Sequence, residues 1–197
     1  MVQFSTLSLS FGLRYRPDLA YLPTMNRNQS LFIIGPMGAG KTTVGKQLAQ
    51  SLGMEFLDSD LEIQKRTGVD IPTIFEFEGE EGFRNRERAV IEELTSKEGV
   101  VLATGGGAVL DAQNRRVLSS RGFVVYLHCT PEQQYERTFR DRNRPLLHTE
   151  DPLDKLRELM QEREPLYRQT ADLVVVSERR SAQTVAKEIQ ASIGTIK

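Results

Sequence analysis

Cysteine is nearly missing from this 197-residue chain: Cys129 stands alone, so no internal disulfide can form. That suits a reducing cytoplasm. Cys129 follows an expected strand and reads as a packed thiol rather than a nucleophile. Histidine is scarce too. His128 and His148 are the only two, and no metal-ligand cluster accompanies them; both read as structural or solvent-facing. Neither sign of charge is in excess, with 26 basic residues against 27 acidic ones. This balance argues against a general nucleic-acid binder and fits a small-molecule enzyme better. No apolar run approaches the length that spans a bilayer. No internal repeat is evident, and the length suits one domain with a sizeable core.

Acidic residues are scarcest over residues 1–28, where Asp18 is the only one and serines and arginines dominate the polar content. A transit peptide has such a composition. A disordered tail, an accessory segment, or a start upstream of Met25 would account for it equally. The reading adopted is a dispensable, disordered extension ahead of a domain covering 29–197.

What is present is organised around Leu31–Thr43, LFIIGPMGAGKTT. Leu31 to Ile34 read as a short buried strand, and Lys41, Thr42 and Thr43 open a helix. The glycines between them fit G-x-x-x-x-G-K-S/T, the phosphate-binding P-loop. Gly35, Gly38 and Gly40 let the backbone curl so that the amides around Gly38, Ala39 and Gly40 point at a polyphosphate. The helix that follows adds its positive end. Lys41 can reach the β- and γ-phosphates, and the Thr42 hydroxyl can ligate Mg²⁺.

Downstream, Val44, Leu48, Ala49 and Leu52 form one helical stripe that Gly53 ends. A strand over Met54–Leu57 runs into Asp58-Ser59-Asp60. Two acids at i and i+2 at a strand end can face one ligand, with Asp58 toward Mg²⁺ and Asp60 toward a substrate hydroxyl. Alternatively, Ser59 or Asp60 caps a helix over Leu61–Thr67, or one of the acids is a cap while the other does chemistry. A short helix over Pro72–Glu78 is interrupted at Gly79, and a longer one covers Glu80–Ser96. Arg84 lies near its start, where the helix dipole disfavours a cation. Glu80 and Glu87 are spaced to hold its guanidinium. Spacing alone favours an exposed, salt-bridged face there.

The strand Val100–Ala103 ends in Thr104-Gly105-Gly106-Gly107. Three glycines cost chain entropy, which points to backbone that comes very close to a ligand outside the strand ends or makes an unusual turn; a plain loop is the weaker alternative. A helix over Asp111–Arg121 and a strand over Phe123–Leu127 follow. Thr130-Pro131-Glu132-Gln133 has the form of a capping box with proline at the first helical position; its helix carries Arg137 and Arg140. The basic run around Arg142 and Arg144, bounded by Pro145 and Pro152, reads as a mobile lid over about 138–151, or else as a solvated loop. A helix over Leu153–Tyr167 carries Arg163 ahead of Pro165. A strand over Leu173–Val176 and a helix capped by Ser181 complete the chain. Helices alternating with short apolar strands imply an α/β fold with a parallel sheet of about five strands.

In this order, the segments GPMGAGKTT, FLDSD, EGEEGFRNRE, LATGGGAV, RPLL and REPLY resemble the shikimate kinase family over about 29–197. The P-loop alone is shared with many nucleotide-binding proteins; the ordered set is far more specific. The resemblance implies a three-layer α/β/α P-loop kinase fold with a lid. It also implies transfer of the ATP γ-phosphate to the 3-hydroxyl of shikimate, on the route to chorismate and the aromatic amino acids. By the family pattern, Lys41 and the amides of Gly38, Ala39, Gly40, Thr42 and Thr43 take the phosphates. Thr42 and Asp58 take Mg²⁺, and Arg137 and Arg144 lie on the nucleotide side. Asp60, Arg84, Gly106, Gly107 and Arg163 match the shikimate positions, with Lys41, Asp60 and Arg144 serving the chemistry. A cytoplasmic monomer is implied, with ATP and shikimate as partners and neither nucleic acid nor membrane.

Overall fold

The structure, a computed structural model, describes residues 29–139, 145–147 and 149–193; the extension expected over 1–28 lies outside them. The chain runs β1 (Ser30–Ile34), α1 (Lys41–Leu52), β2 (Glu55–Asp58), α2 (Ser59–Thr67), α3 (Ile71–Leu94), β3 (Val100–Ala103), α4 (Ala112–Arg121), β4 (Gly122–His128), α5 (Pro131–Thr138), α6 (Pro152–Thr170), β5 (Leu173–Val176) and α7 (Ala182–Ser192). The strands make one parallel sheet in the order β2-β3-β1-β4-β5.

β1 is buried along its whole length, as a parallel strand covered on both faces must be. Its alternate side chains serve opposite layers. Leu31 and Ile33 pack with Val44 and Leu48 of α1 and with Val185 and Ile189 of α7. Phe32 and Ile34 pack with Ile91 of α3, Leu118 of α4 and Tyr167 of α6. Two helical layers therefore enclose the sheet, as the α/β/α expectation requires. Cys129 lies fully buried in the first layer, and burial pushes its thiol up to about 11. It is a packing residue. No helix among the described residues is long and apolar enough to cross a membrane.

The strand order decides where a ligand fits. β1 lies between β3 and β4; the chain builds β2 and β3 on one side of it before crossing to β4 and β5 on the other, so the sheet changes winding direction at the carboxyl end of β1. Open α/β sheets bind ligands at that point. The register Ile33↔Ala103 brings the segments after β1 and β3 out side by side. Consequently the P-loop and the glycine triplet are neighbours, although about seventy residues of sequence separate them.

Two local expectations need correction, the cap of α2 and the capping box of α5. α2 begins at Ser59, and its cap is Asp58, whose Oδ1 accepts from the Asp60 and Leu61 amides at 3.1 and 3.2 Å. The acid that ends β2 is thus the cap, not Ser59 or Asp60. α6 runs through Pro165, as the expected helix over Leu153–Tyr167 does, and ends at Thr170; proline removes one N–H, and the buried Tyr167 beyond it anchors the last turns. The capping box of α5 is half made. Thr130 Oγ1 accepts from the Gln133 amide at 3.4 Å, but Gln133 Oε1 has no hydrogen-bond partner among the described residues. As expected, Gly79 interrupts the helical path of α3, with φ of 69° and ψ of −177°. His128 is partly buried 3.8 Å from Glu164, and burial holds its pKa below the ordinary value; His148 lies outside the described residues.

Candidate active site

The loop between β1 and α1 leaves the amino end of α1 open. Gly38 and Gly40 adopt left-handed backbone, with φ of 75° and 91°. No side chain caps α1, and no acid lies in its first turn. Its amides and positive end are therefore available to an anion. Lys41 Nζ donates to the carbonyls of Gly35 and Pro36 at 2.8 Å each, which folds the ammonium back over the loop. Arg137 ties the other side together. It donates to the Gly38 carbonyl at 2.9 Å and to the Ser177 carbonyl at 3.2 Å. A cleft with about 530 Å³ of empty space, part of it open to solvent, lies beside this strap, bordered by Ala39, Thr43, Arg137, Ser177 and Arg180.

Asp58 and Asp60 divide rather than face one point. Because α2 starts at Ser59, the alternation of a strand no longer relates them. Asp58 turns to α1, where its Oδ2 accepts from the Thr42 hydroxyl at 2.8 Å. Asp60 turns to the glycine triplet: a Cβ on Gly105 would lie 2.6 Å from Asp60 Oδ1. The same imagined atom would lie 2.6 Å from Glu87 Oε1, so a side chain here would displace both carboxylates.

A second cleft opens next to the P-loop. Met37, Asp60, Phe75, Arg84, Glu87, Gly105, Gly106, Gly107, Leu146 and Arg163 line it, around about 500 Å³ of empty space. Arg84 Nη1 donates to Glu87 Oε2 at 2.7 Å and Nη2 to Glu80 Oε1 at 2.9 Å. The guanidinium crowds Gly107, where a Cβ would collide with it. The partners of Arg84 are those its spacing suggests, but the exposed face is not. Its side chain is 16% exposed and that of Glu87 is 0%. Burial pushes Glu87 up to about 7 against the pull of Arg84, and the nearby Asp60 charge adds to the rise. Arg163 enters from α6 and is 5% exposed. Its Nε has no hydrogen-bond partner among the described residues, and Glu162 Oε2 lies 3.9 Å away. A guanidinium held this deep, with an Nε that no described carboxylate reaches at hydrogen-bond distance, favours an anion that can bond it.

Asp60, Arg84, Gly106, Gly107 and Arg163 are thus brought to one cleft, and Gly38, Ala39, Gly40, Thr43 and Arg137 to the other, while Asp58 is bonded to Thr42 at the start of α1. The junction is close, since a Cβ on Gly106 would lie 3.2 Å from the Met37 amide nitrogen of the P-loop. Arg144 and most of its basic run lie outside the described residues. From the expected lid, Leu146 borders the second cleft. Sequence reasoning missed three contributors. Glu87 was legible as a partner of Arg84, but its burial was not. Tyr167, whose hydroxyl donates to the Gly106 carbonyl at 2.5 Å, follows Arg163 by one helical turn, which is the signal that could have found it. Ser59, whose Oγ accepts from the Gly105 amide at 3.0 Å, is the residue between the two acids.

Comparison with known proteins agrees with this geometry. A family model described as shikimate kinase matches residues 37–194. The shikimate kinase of Thioalkalivibrio sulfidiphilus is 59% identical over 84% of this chain and 87% of its own length. Among solved structures, a shikimate kinase from Acinetobacter baumannii in complex with shikimate superposes with a TM-score of 0.81 at 54% identity, covering 82% of this chain and 90% of that one. The Aquifex aeolicus shikimate kinase gives a TM-score of 0.74 at 38% identity, covering 84% and 96%. The chain belongs to the shikimate kinase family.

Proposed function

We propose that this protein transfers the γ-phosphoryl group of ATP to the 3-hydroxyl of shikimate, giving ADP and shikimate 3-phosphate for chorismate and aromatic amino acid synthesis. One observation carries the reading of the acceptor: Arg163 is buried beside Arg84 with an Nε that has no hydrogen-bond partner among the described residues. Two guanidinium groups suit a planar carboxylate through paired hydrogen bonds. A hydroxylated ring fits between them, the backbone of Gly106 and Gly107, and Asp60.

The roles follow from position. Amides of Gly38 through Thr43 and the Lys41 ammonium cradle the β- and γ-phosphates, and Arg137 braces the nucleotide side. Asp60 accepts a hydrogen bond from the attacking hydroxyl, orients it and takes its proton. Arg144 is assigned to the transferring phosphoryl group from a lid over about 138–151; Leu146 supports the lid by bordering the acceptor cleft. Thr42 and Asp58 would hold Mg²⁺. Their oxygens meet at 2.8 Å, and the described residues include no cluster of three or more His, Cys, Asp or Glu able to cage a metal. That suits Mg²⁺, which keeps waters and phosphate oxygens and needs few protein ligands. Bound there, it supplies charge neutralisation across the phosphates. Both clefts are built from one chain, which supports a working monomer.

The test is ADP release in a coupled assay with shikimate as acceptor, run beside Arg84→Ala. Turnover should require shikimate, and the variant should raise the shikimate KM far more than the ATP KM. No shikimate-dependent turnover in the wild type would refute the reading; equal effects on both KM values would remove Arg84 from the acceptor site.

A further inference from the structure

Three consecutive glycines should be the loosest part of the acceptor cleft, since each loses more conformational freedom on ordering than any other residue. Yet Gly105 to Gly107 must hold their place between the P-loop and Arg84, with no side chains of their own to pack. Two buried hydroxyls hold them. Ser59 Oγ accepts from the Gly105 amide at 3.0 Å, and the Tyr167 hydroxyl donates to the Gly106 carbonyl at 2.5 Å. Both residues are 0% exposed.

The sources of these hydroxyls matter. Ser59 opens α2 immediately before Asp60. Tyr167 lies on α6 one turn beyond Arg163. Each bond therefore links the triplet to an element that also carries a charged residue of the cleft. Burial raises the Tyr167 phenol above its ordinary range, while the nearby Arg163 charge opposes the rise. It stays protonated, and a donor, at any working pH. The ring has a separate job: it stacks on Tyr126 with centroids 4.9 Å apart and planes 21° apart. Packing and hydrogen bonding by Tyr167 can therefore be separated by removing the oxygen alone.

We propose that Tyr167 and Ser59 are positioning residues for the acceptor: their hydroxyls lock the glycine triplet in register with Arg163 and Asp60, so that its backbone meets shikimate in a fixed geometry. The proposal rests on the function argued above. Losing either hydroxyl leaves the P-loop untouched but lets the triplet shift, so the cost falls on shikimate and spares ATP.

The experiment uses the full chain with Tyr167→Phe and Ser59→Ala, measuring KM for shikimate and for ATP, with shikimate affinity by calorimetry. Each variant should raise the shikimate KM and dissociation constant about five- to tenfold, as expected for one buried hydrogen bond, with ATP KM held within about twofold. If the wild type phosphorylates shikimate while the variants keep its shikimate KM, or weaken both substrates in proportion, the inference fails and the function stands. If the wild type does not turn over shikimate, both fail. Should one variant not fold, the other decides by the same criterion.

Discussion

Glu87 accepts a 2.7 Å hydrogen bond from Arg84 three residues earlier on α3, and the pair sits in the acceptor cleft with the glutamate fully buried. Burial, strengthened by the Asp60 charge and opposed by Arg84 and Arg163, puts its pKa at about 7. With Glu87 ionised, Asp60 and Glu87 offset Arg84 and Arg163; with Glu87 protonated, the same four groups leave one positive charge. An incoming carboxylate binds better to the second state and favours proton uptake by Glu87. Shikimate affinity should therefore weaken as pH rises through about 7, by at most about tenfold per pH unit for a single proton. Glu87→Gln, neutral at every pH, should flatten this dependence. Calorimetric titrations between pH 6 and 8, about a unit either side of the midpoint, read it directly. An equal slope in both proteins would separate Glu87 from binding. For stability the sign is set by a raised carboxyl pKa: the folded chain holds this proton over about pH 4.5 to 7, where the unfolded chain releases it. The contribution is complete below that window and is lost as pH rises through it.

Asp60 presents a different balance. Its charge contributes to the rise in Glu87, and its Oδ1 lies against Gly105 at the acceptor side rather than at Thr42. Asp60→Asn keeps the size and loses the base. Turnover should drop on the order of a hundredfold or more, the usual worth of a positioned proton acceptor, with ATP binding little changed. The midpoint of the shikimate pH profile should also move down, because a neighbouring negative charge has gone. Near-wild-type turnover would exclude Asp60 from the chemistry; an unmoved midpoint would mean the two carboxylates do not feel each other.

The nucleotide side was the more legible half, for a physical reason. A P-loop is local: its glycines, lysine and threonine act within a single turn between strand and helix, so spacing carries nearly all the information. The acceptor side is assembled from the start of α2, the middle of α3, the end of β3 and the middle of α6, and spacing within each piece is ambiguous. Glu80, Arg84 and Glu87 have the same i, i+3 and i+4 pattern on a wet face as in a buried cleft. Only the packing of α3 against the rest decides between them. The Asp58 cap was hidden because a helix start two residues later, at Leu61 rather than Ser59, moves the cap from Asp58 to Asp60. The last three residues of α6, Arg168 to Thr170, were hidden because the burial of Tyr167 and Thr170 that holds the final turn comes from packing rather than from the helix's own sequence pattern.

Tyr126 offers a test of packing alone. It is fully buried on β4, stacked on Tyr167 and edge-on to His128 with centroids 5.8 Å apart. Its hydroxyl has no hydrogen-bond partner among the described residues, and burial drives its pKa far above the ordinary range. A buried hydroxyl with no partner carries a desolvation cost that nothing returns. Tyr126→Phe keeps the ring and the stack while removing that cost. The variant should be as stable as the wild type or more so by about 1 kcal/mol, seen as a melting temperature equal or a few degrees higher. Its shikimate and ATP KM values should not move, because the Gly106 carbonyl still has the Tyr167 hydroxyl. A loss of about 1 kcal/mol or more would show instead that this oxygen is satisfied in solution, with a buried water as its partner. The same pair of variants then separates two neighbouring phenols in one stack, one whose oxygen serves the acceptor cleft and one whose oxygen serves nothing.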